Sequence, residues 1–185
     1  MSPLLEPHNP AWSTEFSELS AVYEKSLGSL ALRIEHVGST AIPGLAAKPI
    51  LDIDVVIADY SVFPQVIEAL AKLGYSHNGD QGIPQREAFK PADEFAPHVS
   101  PPRAWRTHHL YVCPEQSPEL ARHLRFRDAL RANSALREEY ERIKRHLAAH
   151  AGDDRKIYAR LKEEACRDFV SRAVLGEDGE CSQAK

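Results

Sequence analysis

The sequence predicts an α/β (α+β) fold, with a strand-bearing core followed by a helical C-terminal part. Three observations predict it. An amphipathic stripe opens the chain, with Trp12, Phe16, Leu19, Tyr23 and Leu27 recurring at helical spacing. Short runs rich in β-branched and apolar residues then interleave with one helical segment. After Pro118 the pattern is helical throughout. Strands first and helices last is the element order of such a core.

The elements follow in order. Asn9 and Pro10 suit the cap and first position of a helix, and Gly28 closes it. Leu30 to Val37 reads as a strand leading into Gly38-Ser39-Thr40. Pro43-Gly44 signals a turn, and Leu45 to Lys48 a short helical turn. Pro49 to Ile57 is the clearest strand, and Phe63 to Leu73 a helix capped by Gly74. Tyr75 to Pro102 is rich in Gly and Pro, so one or two short strands joined by loops are expected, with Arg86 to Lys90 as a candidate. Thr107 to Cys113 is the next strand. Three helices follow: one with Leu120, Leu124 and Leu130, one with Leu136, Tyr140, Ile143 and Leu147, and one with Ile157, Leu161, Ala165 and Phe169. Gly152-Asp153-Asp154 separates the last two. The expected layout is a single domain over 1–176, with a core over about 10–115 and helices over about 117–176. The tail, 177–185, has too few apolar residues to fold.

Composition sets bounds on function. With 185 residues the chain can bury a sizeable core without staples. Lys plus Arg number 23 and Asp plus Glu 27, a net charge of −4. That argues against a general nucleic-acid binder while leaving room for a local basic patch. No apolar run approaches the ~18 residues of a membrane span, and no secretory leader is visible at Met1 to Trp12. Cys113, Cys166 and Cys181 are odd in number and widely spaced, which favours neither disulfides nor zinc. A reducing, cytoplasmic setting is expected.

The chemistry concentrates between Val37 and Ile57, VGSTAIPGLAAKPILDIDVVI. Alternation on the strand puts Asp52, Asp54 and Val56 on one face. Two carboxylates so close repel unless cations lie between them. A hard divalent cation such as Mg²⁺ does that and keeps phosphate oxygens and waters as further ligands. A solvated face or ordinary salt bridges would explain a lone Asp-x-Asp equally well. Gly38-Ser39 follows a strand, where successive N–H groups and the Ser39 and Thr40 hydroxyls can cradle phosphate; a simple turn is the plainer alternative. Lys48 is a candidate phosphate cation, one among 23 basic residues.

Strand, Gly-Ser, twelve residues, then Asp-x-Asp on a second strand resembles the nucleotidyltransferase superfamily. More narrowly the chain resembles the GrpB family, through HVGSTAIPGLAAKPILDIDVVI at 36–57, GDQGIPQREAFK at 79–90, RTHHLYV at 106–112 and HLRFRDALR at 123–131. Tyr158 and Lys162 are a weaker match. The resemblance implies a mixed β-sheet flanked by helices, a triphosphate (ATP is the expected donor) held at Gly38, Ser39, Thr40 and Lys48, and Mg²⁺ held by Asp52 and Asp54. It further implies transfer of a nucleoside monophosphate to an acceptor, with pyrophosphate leaving. The acceptor, expected to be a small molecule or a protein rather than nucleic acid, is not named by the sequence.

Active members of the superfamily usually carry a third carboxylate on a later strand. The strand THHLYV has none. His109, on one face with Thr107 and Tyr111, is a candidate base or ligand. Asp80 and Glu87 are spare acids, and Arg86 and Lys90 candidate phosphate partners. Arg125, Arg127 and Arg131 read as a solvated helix face, and Trp105 as loop packing or a base-stacking ring. A nucleotide-binding module without turnover, or a protein that regulates a partner, are the rival readings.

Overall fold

The computed structural model describes residues 4–152 and 154–175. Helix α1 spans Ala11–Leu27, and strand β1 Arg33–Val37. A single 3₁₀ turn, Ser39–Ala41, connects onward to β2, Leu51–Ile57. Helix α2 is Phe63–Lys72, β3 Tyr75–His77, β4 Glu87–Pro91 and β5 His108–Pro114. Helices α3, Pro118–Ala132, α4, Ser134–Ala151, and α5, Arg155–Leu175, complete the chain.

The sheet order is β1-β2-β5-β4-β3. β2 and β5 run parallel, and the other neighbours are antiparallel, so the sheet is mixed. Leu51, Ile53, Val55 and Ile57 of β2 and Leu110 and Val112 of β5 turn to one face. There they bury against Trp12, Leu19 and Tyr23 of α1 and Val66 and Leu70 of α2. Period-2 alternation therefore sends Asp52, Asp54 and Val56 to the opposite face. On that face Val56 and Cys113 pack on Leu120 of α3. A separate cluster joins Leu130, Tyr140 and Phe169 of α3, α4 and α5 to Ile42 and Leu45 of the β1–β2 connection.

The helix ends follow local capping chemistry. Asn9 Oδ1 accepts the Ala11 N–H at 3.0 Å. Ser117 caps α3 ahead of Pro118, and Asn133 caps α4. Asp154 Oδ1 accepts from Lys156 and Ile157 at the start of α5.

Some expectations need correction. The helical turn expected at Leu45 to Lys48 lies at Ser39–Ala41 instead, and Ala47 pairs with Glu6 in an isolated antiparallel bridge. The first strand begins at Arg33 rather than Leu30, because Gly28–Leu30 forms a 3₁₀ turn behind α1. The 177–185 tail lies outside the described residues.

Candidate functional site

The site forms where β1, β2 and β5 meet α3 and α5. The β1–β2 register opposes Val37 to Asp52, so the residue after Val37 comes back over that carboxylate. That residue is Gly38, at φ +71°, and a Cβ there would collide with Asp52 Oδ2. Both backbone angle and space require glycine. Ser39 follows in the tight turn. Thr40 is buried, its hydroxyl engaged by His36 Nε2 at 3.0 Å and the Ile50 carbonyl at 3.3 Å.

Across β2 and β5, Asp52 is registered with His109 and Asp54 with Tyr111. His109 Nδ1 donates to Asp52 Oδ1 at 2.8 Å. This bond raises the His109 pKa against the opposing effect of burial. For Asp52, burial pushes the pKa up, but the bond and charge of His109, with the charges of Lys162 and His123, bring it below the usual carboxylate value.

Asp54 has different surroundings. Its side chain is 0% exposed. Oδ2 accepts from His123 Nδ1 at 2.7 Å, while Oδ1 is buried and has no hydrogen-bond partner. His123 Nε2 lies 3.1 Å from Glu119 Oε1. Burial disfavours a charged ring, yet the bonds to Asp54 and Glu119 outweigh it and raise the His123 pKa to about 9. Glu119 is in turn bonded by Arg122 Nε at 2.8 Å. Burial raises its pKa, and the bonds from Arg122 and His123 reverse this to a value well below the ordinary one.

These groups border a cavity of about 630 Å³ between the sheet and the C-terminal helices. Gly38, Ser39, Asp52 and His109 line its sheet end. Lys48, Arg86, Arg122, Lys144 and Lys162 contribute cationic side chains, and Phe126, Tyr140 and Tyr158 form an aromatic wall. Lys48 Nζ lies over the Tyr158 ring at 4.4 Å, and the Arg86 guanidinium over Tyr111 at 4.5 Å. Asp54 is not a lining residue; His123, in front of it, is.

Of the residues singled out from sequence, the structure thus brings Gly38, Ser39, Thr40, Lys48, Asp52 and His109 to one cavity, with Asp54 directly behind. It keeps others away. Glu87 accepts from Tyr60 and contacts His77 at 2.7 Å on the outer strands. Asp80 accepts from Gly82 N in its own loop. Trp105 donates to the Pro97 carbonyl and carries Arg103 on its ring, which is loop packing. Arg127 is not on a solvated face: it is largely covered and reaches Glu35 at 2.7 Å and the His36 carbonyl, while Arg125 and Arg131 are exposed as expected, Arg131 also holding the Ala41 carbonyl. Arg127 and Arg131 clamp α3 to β1 and to the turn after it.

Sequence reasoning missed Glu119, Arg122 and His123. Their i, i+3, i+4 spacing after the Ser117-Pro118 start is a readable sign that they share a helix face. That this face docks on Asp54 is a tertiary fact.

Hard cations take carboxylate oxygens. Among the described residues no three His, Cys, Asp or Glu side chains converge to hold an ion by themselves. Asp52 at the cavity wall and the unpartnered Asp54 Oδ1 fit a Mg²⁺ that draws its remaining ligands from phosphate and water. No helix among the described residues is long and apolar enough to cross a membrane.

The sequence matches the GrpB protein family over residues 3–172. It is 34% identical to the UPF0157 protein BH1888 of Halalkalibacterium halodurans, over 91% of this chain and 86% of that protein. It is 32% identical to the UPF0157 protein YqkA of Bacillus subtilis, of whose length the chain spans 47%. Among solved structures, the conserved protein GrpB from Enterococcus faecalis superposes with a TM-score of 0.75 at 28% identity, over 92% of this chain and 97% of that one. Cid1 in complex with its short product ApU superposes with a TM-score of 0.52 at 12% identity, over 77% of this chain and 42% of that one. The second likeness is one of fold alone, a mixed sheet with flanking helices.

Proposed function

The chain belongs to the GrpB family, and from that premise we propose that it is a Mg²⁺-dependent nucleotidyltransferase of the cytoplasm. It transfers a nucleoside monophosphate from an NTP, with ATP the expected donor, to a small-molecule or protein acceptor. The observation that carries this reading is the Gly38-Ser39 turn closing on Asp52 at the sheet end of a cation-lined cavity.

The chain's own groups divide the work. The 38–39 turn offers backbone N–H groups and the Ser39 hydroxyl to phosphate oxygens. Lys48, Arg86, Arg122 and Lys162 offset the triphosphate charge; a unit pair at about 5 Å and an effective dielectric near 20 is on the order of 3 kcal/mol before desolvation. Asp52 and Asp54 would hold Mg²⁺, whose chemistry is to stabilise charge on the attacking and leaving oxygens. With Nδ1–H donating to Asp52, His109 Nε2 is left to take the proton of an acceptor hydroxyl as it attacks the α-phosphorus. Pyrophosphate leaves from that phosphorus on the opposite side.

One observation favours a second reading, a nucleotide-binding module without turnover. β5 presents His109 and Tyr111 opposite the aspartates, where active superfamily members usually present a carboxylate. Calorimetric titration of ATP, GTP, CTP and UTP, with and without Mg²⁺, tests what the readings share. Mg²⁺-dependent binding that is lost in Asp52→Asn supports the site, and pyrophosphate release then separates enzyme from binder. Absence of binding for all four at millimolar concentration removes both.

A further inference from the structure

We propose that Arg86 centres a second oxyanion subsite in the cavity, on the side away from the 38–39 turn, and that the acceptor carries the phosphate or carboxylate it takes. This rests on the nucleotidyltransferase reading above and names the chemical class of the acceptor. Three observations carry it. First, Arg86 is a covered cation whose donors are not used. Its side chain is 12% exposed and lines the cavity. Its Nε is buried without a hydrogen-bond partner. Its one ion-pair contact among the described residues, Nη1 to Glu119 Oε1, is 4.0 Å long, beyond hydrogen-bond length. Glu119 is already taken, since both of its oxygens accept from Arg122. That pairing leaves the charge and the donors of Arg86 for a ligand. Lys144, another cation of the lining, is by contrast engaged by the Ala46 carbonyl.

Second, the guanidinium is held in place. It lies over the Tyr111 ring at 4.5 Å, which sets its plane. The loop before it is braced by its own backbone. Ile83 N–H donates to the Asp80 carbonyl at 3.0 Å, Arg86 N–H to the Ile83 carbonyl at 3.2 Å, and Ala88 N–H to the Gly79 carbonyl at 2.9 Å. A fixed planar fork meets two oxygens of one phosphate or carboxylate side by side. Third, Arg86 stands across the aspartates from the turn. The sheet order β1-β2-β5-β4 puts the turn after β1, and Arg86 just ahead of β4, at opposite margins of the site. Three strand spacings amount to roughly 14 Å. Register separates the two further: Val37 is opposite Asp52 and Asp52 opposite His109, whereas Glu87 is opposite Val112. Entering and leaving oxygens lie in line on opposite sides of a transferred phosphorus. With the leaving phosphates at the turn, the acceptor enters from the β4 side. Arg86 adds to the field around the triphosphate from a distance, and its hydrogen bonds go to the second anion.

The test follows the Arg86 Nε–H by nitrogen-15 resonance in the full chain, assigned by its loss in Arg86→Lys. Being buried, that proton exchanges slowly and gives a signal to follow. Sodium phosphate and sodium acetate are titrated separately, against sodium chloride at equal ionic strength. Each titration is run with and without Mg²⁺ and an ATP analogue that cannot be cleaved between its α- and β-phosphates. The expected result is a saturable shift with phosphate, acetate or both that persists with the analogue bound. Which anion acts names the acidic group of the acceptor. In Arg86→Lys, affinity for that anion, read from the Tyr111 amide, should fall about tenfold or more, as loss of a hydrogen bond to a charged group does. Affinity for the analogue should hold, because the charge is kept. No response to either anion beyond that to chloride overturns the proposal. A signal that moves with the Mg²⁺-bound analogue and then ignores both anions assigns Arg86 to the triphosphate; it overturns the proposal and leaves the nucleotidyltransferase reading standing. Absence of analogue binding removes that reading, and the acceptor with it.

Discussion

His108 and His109 are adjacent in sequence and lie on opposite faces of one strand, and the two faces put histidine to different uses. On the face covered by α1 and α2, His108 Nδ1 donates to the Arg106 carbonyl at 2.8 Å, and Nε2 accepts from Tyr75 at 2.6 Å. Tyr23 closes the group at 2.8 Å from the Tyr75 hydroxyl. Burial lowers the His108 pKa, so the ring is neutral. All of its polar atoms are matched. On the face covered by α3 to α5, His109 and His123 are held by carboxylates, their pKa values are raised, and one carboxylate oxygen has no partner. A matched neutral cluster is what folding alone requires of buried polar groups. A charged, half-matched one beside a cavity is what a ligand completes.

That contrast can be broken in stages. The largest effect belongs to the charged face. Asp52→Asn should weaken Mg²⁺-nucleotide binding by more than about 100-fold, beyond the range of groups that act only through a ligand. The metal-free melting temperature should stay near wild type; a drop of many degrees would make Asp52 a structural salt-bridge partner. Gly38→Ala should lower both stability and nucleotide binding. Its Cβ collides with Asp52 at a positive φ, a conformation costing about 1–3 kcal/mol by itself, and thermal melts with titration read the two effects separately. Tyr75→Phe should behave in the opposite way. It removes the 2.6 Å bond to His108 Nε2 and leaves that nitrogen the Tyr23 hydroxyl at 3.1 Å, a cost of about 0.5–1.5 kcal/mol in denaturant unfolding, with nucleotide binding unchanged.

The smallest effect is in pH. His108 and His36 are lowered by burial, His36 to about 4 against an ordinary 6.5. The unfolded chain binds these protons first, so their contribution is complete above about pH 6.5 and is lost as pH falls below it, for His36 down to about 4. His123, raised to about 9, has the opposite sign: its contribution is complete below about 6.5 and is lost as pH rises through 9. Melting temperature against pH should therefore fall on both sides. His36→Gln should flatten the acid limb and His123→Gln the alkaline one. Limbs that stay as in wild type would contradict the assignment.

Much of this was legible beforehand, for identifiable reasons. Strand alternation is a strict period of two, so Asp52 and Asp54 sharing a face, and His108 and His109 dividing two faces, follow from sequence. Gly38 next to Ser39 after a strand is likewise local, although that glycine is obligatory because of Asp52 was hidden in the β1–β2 register. The rest depends on docking. Arg127 reads as solvated because its partners, Glu35 and His36, lie about 90 positions away. His123 reads as one more polar helix residue until α3 is laid over β2. The turn expected at 45–48 is absent where Ala47 pairs with Glu6, a contact no local pattern encodes.

The most direct measurement is a crystal structure of the protein with Mn²⁺ and a non-hydrolysable ATP analogue, with manganese located by its anomalous signal. The account predicts manganese between Asp52 and Asp54 and phosphates against the 38–39 turn. Nucleotide bound away from that turn, or manganese absent from both aspartates, would contradict it.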